Sequence, residues 1–143
     1  MARLLPPSPS SSSAVVTRVM KRNKAHSTQP ELALRKALRG SGLTGYRLNW
    51  KKAPGRPDIC FVGKRLAVFV HGCFWHRCPR CSLTTPKTNS DFWSRKFQLN
   101  VERDIAKADA LTAEGWKVVT VWECQIRQDL EMCVEAVRKA LAD

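Results

Sequence analysis

The sequence predicts one α/β domain in which a central sheet is flanked by helices and carries a cysteine-rich loop. Four short segments have the apolar pattern of strands, namely 46–50, 58–62, 65–70 and 116–122. Three longer segments have the apolar stripe of amphipathic helices, namely 28–40, 90–114 and 126–141. A chain of 143 residues, 43% of them hydrophobic, has room for one compact core and is too short for two domains of ordinary size.

The N-terminal region has a different composition from the rest. Residues 1–17 contain a proline and serine run that cannot form a core, so we expect a disordered leader, with a single domain over 18–143. Residues 18–24 are basic and contain one methionine, Met20. Such a segment is most often a solvated linker, but it also suits an arm that lies along DNA phosphates with Met20 inserted between base pairs.

The first helix and the first strands contain candidate site residues, and the expected elements predict where these residues lie. The helix is expected to start near Thr28 and to end at the glycines 40 and 42, which places Glu31 in its first turn. A short Gly-Lys connection should join two central antiparallel strands, 58–62 and 65–70. Because antiparallel pairing brings their far ends together, Asp58, the Val70 carbonyl and His71 should lie at one sheet edge.

This edge has the chemistry of a magnesium site. Mg²⁺ prefers carboxylate and carbonyl oxygens, which Asp58 and Val70 supply, and one or two ions there would bridge a phosphate. His71 and His76 would then act as base or acid toward water and the leaving oxygen. The alternative is that these histidines are structural or bind zinc, which is the more frequent role of a histidine in a loop.

The second metal candidate is a set of cysteines in the expected irregular loop 71–88 and just after the last strand. Four thiolates can close a tetrahedral structural Zn²⁺ site that leaves no position for water, and they are supplied by Cys73, Cys78, Cys81 and Cys124. Four free thiols are the alternative. The remaining cysteines, Cys60 and Cys133, lack ligand spacing and are assigned to the core.

The charge distribution indicates a polyanionic partner. Lysine and arginine number 25 against 12 acidic residues, a formal net charge of +13, which favours nucleic acid over a small neutral substrate. The first 90 residues contain only two acidic residues, Glu31 and Asp58. No stretch has the length of a membrane helix and no signal peptide is present, so we expect a cytoplasmic protein, with a monomer favoured.

Three aromatic residues have two possible roles. Phe74 and Trp75, in the cysteine-bounded loop, suit loop packing or insertion into a base stack. Trp93, near the start of the long helix, suits the helix's packed stripe. The residues alone leave these alternatives open.

Taken together in order and spacing, the motifs resemble those of the Vsr endonucleases. The motifs that carry the resemblance lie between Met20 and Arg127 and are Gly55–Asp58, Val68–His76, Pro86–Thr88, Phe92–Trp93, Asn100–Asp104 and Gly115–Cys124. The resemblance implies a restriction-endonuclease-like core, a central mixed sheet flanked by helices, together with a structural zinc loop. In this family, Phe69-Val70-His71 stands where related nucleases have a second acidic residue and a lysine.

The resemblance also implies roles for individual residues. Asp58 and the Val70 carbonyl would bind Mg²⁺, and Glu31 would hold a water molecule on the metal. The catalytic histidines would be His71 and His76, and Asp104 would orient one of them.

The implied substrate is double-stranded DNA with a T·G mismatch. The resemblance implies a nick 5′ to the thymine, as in very short patch repair of deaminated 5-methylcytosine, in the bacterial cytoplasm at the nucleoid. Phe74, Trp75 and Trp93 would intercalate beside the mismatch, with Met20 entering from the other groove. Mismatch-repair proteins are candidate partners.

One zinc position departs from the family, because Cys78 stands where a histidine is usual; a Cys₄ set is chemically equivalent for structural zinc. A non-catalytic zinc-knuckle DNA-binding module is the rival hypothesis, and it leaves Glu31 and Asp58 without a role. A zinc deaminase is set aside because no His-x-Glu motif precedes the Cys78–Cys81 pair.

Overall fold

The computed structural model describes residues 28–143. The predictions for the leader and for the basic arm with Met20 lie outside the described residues and stay predictions. Within residues 28–143 the order is helix α1 (Gln29–Gly40), strands β1 (Arg47–Leu48), β2 (Ile59–Phe61) and β3 (Leu66–His71), helices α2 (Cys73–His76) and α3 (Ser90–Ala113), strand β4 (Lys117–Trp122), and helices α4 (Glu123–Gln128) and α5 (Leu130–Ala142).

The sheet is mixed, with the strand order β1-β2-β3-β4. The first three strands pair antiparallel, as predicted for β2 and β3, and β4 pairs parallel to β3. This parallel pairing runs from Leu66 opposite Lys117 to His71 opposite Trp122. The C-terminal ends of β3 and β4 therefore lie side by side, and the residues that follow them meet at one sheet edge.

Helices cover both faces of the sheet, as the α/β prediction required. Strand residues alternate between the faces: Ile59 and Val68 pack with residues of α1 and α5, whereas Cys60 and Ala67 pack with Leu111 of α3. The alternation follows the two-residue period of a strand. The sheet therefore packs against helices on both faces, with one apolar cluster on each face.

Three elements differ from their predicted extent. The edge strand β1 keeps only two residues, because Asn49 turns into the left-handed region at φ 48°. The C-terminal helical segment is divided at Asp129, whose side chain accepts a hydrogen bond from the Met132 amide and caps α5. The loop expected to be irregular contains the short helix α2. Of the described helices, none is both long and apolar enough to cross a bilayer.

Candidate active site

An open cleft of about 890 Å³ lies at the sheet edge formed by the ends of β3 and β4. It is lined by residues from α1, β3, α2 and α3, by Glu123 at the start of α4 and by residues of the segment 49–58 that precedes β2. The residues singled out from the sequence as metal ligands for magnesium or as catalytic groups all line it: Glu31, Asp58, Val70, His71, His76 and Asp104. Sequence reasoning had placed only Asp58, Val70 and His71 together from strand pairing.

Asp58 is anchored by the backbone of the neighbouring strand. The Val70 amide donates a hydrogen bond of 2.7 Å to Asp58 Oδ2. Burial raises the pKa of Asp58 to about 7, the Val70 hydrogen bond opposes this rise, and the neighbouring Glu31 carboxyl adds to it. A cation beside a carboxyl group in such surroundings stabilises its charged form, which burial disfavours.

Glu31 reaches the cleft from the first turn of α1 and is only 2% exposed. One turn later on the same helix, Arg35 donates a 2.7 Å hydrogen bond from Nη2 to Glu31 Oε2, and Arg35 is itself 7% exposed. A buried carboxylate needs such a partner, because removal from water disfavours its charged form. Sequence reasoning missed Arg35, although the i,i+4 spacing from Glu31 was a visible signal.

The two histidines and Asp104 form a compact group. The rings of His71 and His76 are stacked, with centroids 4.1 Å apart and planes 4° apart. His76 Nδ1 lies 2.6 Å from Asp104 Oδ2, and His71 Nε2 lies 3.9 Å from Asp104 Oδ1. Because a carboxylate accepts hydrogen bonds, Asp104 places the proton of His76 on Nδ1 and leaves Nε2 for chemistry.

The two histidines differ in their surroundings. Burial lowers the pKa of His71 to about 4, and the charge of His76 adds to this effect. His71 is therefore neutral near pH 7. Within residues 28–143 its buried Nδ1 atom has no hydrogen-bond partner. The His76 side chain is 30% exposed, which makes it the histidine more accessible from solvent.

The cleft fits a hard divalent cation. Asp58 and Glu31 offer carboxylate oxygens beside the backbone of Val70, the oxygen-rich surroundings that Mg²⁺ prefers. A second arrangement is also possible on geometry, because ligand atoms of His71, His76 and Asp104 lie within 4.8 Å of one another. Nitrogen-rich sets of this kind suit transition metals better than Mg²⁺.

The four cysteines predicted to bind zinc, which lie on α2, on the loop after it and on α4, come together in the folded chain. Their sulfur atoms all lie within 4.8 Å of one another, and Cys78 Sγ is 3.8 Å from Cys124 Sγ. Tetrahedral zinc with Zn–S bonds of about 2.3 Å requires S···S separations of about 3.8 Å. The amides of Arg80 and Cys124 donate to the sulfurs of Cys78 and Cys73. The cluster is therefore compatible with zinc.

The other two cysteines are buried in the core, as predicted. Burial raises the pKa of the Cys60 thiol to about 11, and burial likewise raises the pKa of Cys133. Neither belongs to the four-cysteine cluster.

An aromatic cluster borders the cleft. Phe74 and Trp75 line the cleft and are partly exposed, whereas Trp93 is 3% exposed and packs behind them, 5.7 Å from Trp75 between ring centroids. The Lys96 ammonium lies 5.1 Å from the Trp75 ring centroid. Of the three aromatics assigned to DNA, two are therefore accessible at the cleft and the third supports them; their contact with DNA stays a prediction.

Sequence reasoning also missed a lysine in the cleft. Lys107, on α3 one turn beyond Asp104, lines the cleft beside Gly55. A Cβ atom on Gly55 would lie 2.7 Å from Lys107 Cγ, and Gly55 has a φ of +76°. Glycine is therefore required here both for its backbone conformation and for the close passage of the lysine stem.

The raised pKa of Asp58 makes the stability of the metal-free protein depend on pH. The folded-state pKa of Asp58, about 7, lies above its ordinary value of 3.8. The contribution of this carboxyl group to the free energy of unfolding is therefore complete below pH 3.8 and is lost as pH rises through 7. Asp58→Asn removes this loss and should raise Tm clearly at pH 8 and much less at pH 5, without added magnesium. Thermal unfolding followed by circular dichroism checks this; an equal gain at both pH values would contradict it.

Comparison with known proteins agrees with this geometry. A profile of the family described as DNA mismatch endonuclease Vsr matches residues 12–81. A type II nicking enzyme, V.XorIIP of Xanthomonas oryzae pv. oryzae, is 44% identical over 108 residues, which cover 76% of this chain and 79% of that enzyme. The type II nicking enzyme V.NaeI of Lentzea aerocolonigenes is 42% identical over 118 residues, with 79% and 70% covered. The DNA mismatch endonuclease Vsr of Escherichia coli is 37% identical over 116 residues, with 81% and 74% covered. The chain belongs to the Vsr family of DNA mismatch endonucleases.

Proposed function

We propose that this protein is a DNA endonuclease that nicks one strand 5′ to the thymine of a T·G mismatch with the help of Mg²⁺. The observation that carries the proposal is the cleft itself, in which a half-buried carboxylate, Asp58, lines the same cavity as the Asp104–His76 pair in a member of the Vsr family. Relatives named nicking enzymes and a mismatch endonuclease support the class of reaction.

Each cleft residue has a role in this proposal. Asp58 and the Val70 carbonyl would hold the cation, and Glu31, whose carboxylate accepts a hydrogen bond from Arg35, would hold a water molecule beside it. Magnesium, when bound, supplies positive charge against the phosphate in the transition state. His76, oriented by Asp104, uses Nε2 to move a proton between the cleft and the attacking water or the leaving oxygen. His71, stacked on His76, is the second catalytic histidine of this proposal and also holds the His76 ring in place.

Mismatch recognition rests on the aromatic cluster. A mispaired step is cheaper to open than a Watson–Crick step, so a wedge of Phe74 and Trp75 enters it preferentially. Trp93 and Phe97 pack against both rings and keep them from collapsing. The net charge of +13 supplies affinity for the phosphate backbone.

The remaining proposals concern the scaffold and its setting. Zinc bound by the four cysteines ties α2 and the loop after it to the start of α4, and so holds His76 and the wedge against the sheet. We further propose a domain that spans residues 18–143, with the basic arm and Met20 on the DNA. It acts as a monomer in the cytoplasm, with mismatch-repair proteins as candidate partners.

The test is a nicking assay on a labelled duplex with one T·G mismatch, alongside the same duplex with C·G, with and without Mg²⁺. We expect a nick on the thymine strand of the mismatched duplex only, and only with Mg²⁺. Tight binding without a nick, across several flanking sequences, would overturn the proposal and favour a non-catalytic zinc-knuckle DNA-binding module.

A further inference from the structure

We propose that Lys107 is a catalytic residue whose ammonium contacts the phosphate to be cleaved. This inference rests on the proposed nuclease function for its chemistry. It rests on the cleft geometry for the contact itself. Lys107 projects from α3 into the cleft that also contains Asp58 and His71, one helical turn beyond Asp104.

The position of Lys107 is built into the fold. Its aliphatic stem passes over the α-carbon of Gly55, in the turn that leads to Asp58, so closely that any Cβ there would overlap Cβ and Cγ of the lysine. The stem is thereby packed while the residue stays half-buried. Packing of a lysine stem against the backbone with its head toward a solvent-filled cleft restricts the ammonium to a small region.

The charge of that ammonium acts at the reacting centre. The Lys107 charge lowers the pKa of Asp58, but burial has the larger effect on that pKa and raises it. At His71, the Lys107 charge and burial both lower the pKa. Lys107 is thus electrostatically close to both groups. None of the ion pairs within residues 28–143 engages its ammonium.

A substrate phosphate is the group that this ammonium fits. Four carboxyl groups line the cleft, those of Glu31, Asp58, Asp104 and Glu123, so a phosphodiester that enters it meets like charges. Of the cations that also line it, Lys51 and Arg56 are exposed, whereas Lys107 is half-buried. A cation on the wall beside Asp58 offsets that repulsion and favours the extra negative charge of the transition state. Lysine acts on phosphate as a point charge, which suits an oxygen that gains charge during reaction.

The test compares Lys107→Met and Lys107→Arg with wild type. Methionine keeps much of the stem and removes the charge, whereas arginine keeps the charge. Lys139→Met is the matched control, because Lys139 is an exposed lysine of α5 outside the cleft. Circular dichroism melting of all variants reports any loss of fold.

Two quantities are measured. The first is the slope of log affinity against log salt for the T·G duplex, with Ca²⁺ in place of Mg²⁺; Lys107→Met should lower its magnitude by about one relative to Lys139→Met, because one phosphate contact is lost. The second is the single-turnover nicking rate, which should fall by roughly 100-fold in Lys107→Met and far less in Lys107→Arg.

The outcomes separate this inference from the proposed function. A salt slope and a nicking rate of Lys107→Met equal to those of Lys139→Met would overturn the role of Lys107. A changed slope in a protein whose wild type does not nick would leave the phosphate contact standing and overturn the nuclease. A lowered rate with an unchanged slope would overturn the direct contact.

Discussion

Asp58→Ala is expected to reduce the single-turnover nicking rate by roughly 1000-fold or more, because it removes several kcal/mol of metal-dependent transition-state stabilisation and each 1.4 kcal/mol is tenfold in rate. The carboxyl group lies in the cleft, and the Val70 amide holds it in place. The loss should appear in the rate, while the affinity for the mismatched duplex changes little, because Lys and Arg contacts dominate binding.

The control for this prediction is Asp109→Ala, which removes an exposed aspartate of α3 outside the cleft. It should nick at the wild-type rate. Magnesium added at pH 8 should raise Tm of wild type and of Asp109→Ala but not of Asp58→Ala, which gives a readout independent of activity. Mg²⁺-dependent nicking by Asp58→Ala near the wild-type rate would contradict the assignment of Asp58 as the metal ligand.

Cys124→Ser is expected to have the largest effect on stability. Cys124 lies on α4, whereas its three partners lie on α2 and the loop after it. The cluster therefore joins two parts of the chain that are distant in sequence. Loss of about 3 kcal/mol of zinc-linked stability would lower Tm by roughly 10 °C or more in a domain of this size.

Bound zinc, measured by elemental analysis of purified protein, checks this directly. Wild type should hold one equivalent and Cys124→Ser markedly less, together with the lower Tm. Cys60→Ala is the matched control, because this buried cysteine lies outside the cluster; it should keep its zinc. Wild type that purifies without zinc, or equal Tm losses in Asp58→Ala and Cys124→Ser, would refute the separate roles of the two sites.

Local sequence patterns accounted for most of the fold. Periods of two and of three to four residues located β2, β3, β4, α1 and α3, because a buried face imposes those periods on any strand or helix. The pattern was insufficient at β1, an exposed edge strand in which few side chains are buried, and at Asp129, where a side-chain cap divides a helical segment. The first feature depends on the backbone conformation at Asn49 and the second on a side-chain hydrogen bond, and periodicity predicts neither.

The sequence by itself determined the family, and it identified candidates for the site: Asp58, His71, His76 and Asp104 as catalytic groups and four cysteines as zinc ligands. Only the tertiary structure decided how these groups act on one another: the stacking of the histidines, the buried partner of Glu31, the support of Trp75 by Trp93 and the entry of Lys107 into the cleft. The physical reason is that charge state and orientation depend on burial and on distances of a few ångströms between residues far apart in the chain, which periodicity and spacing do not encode.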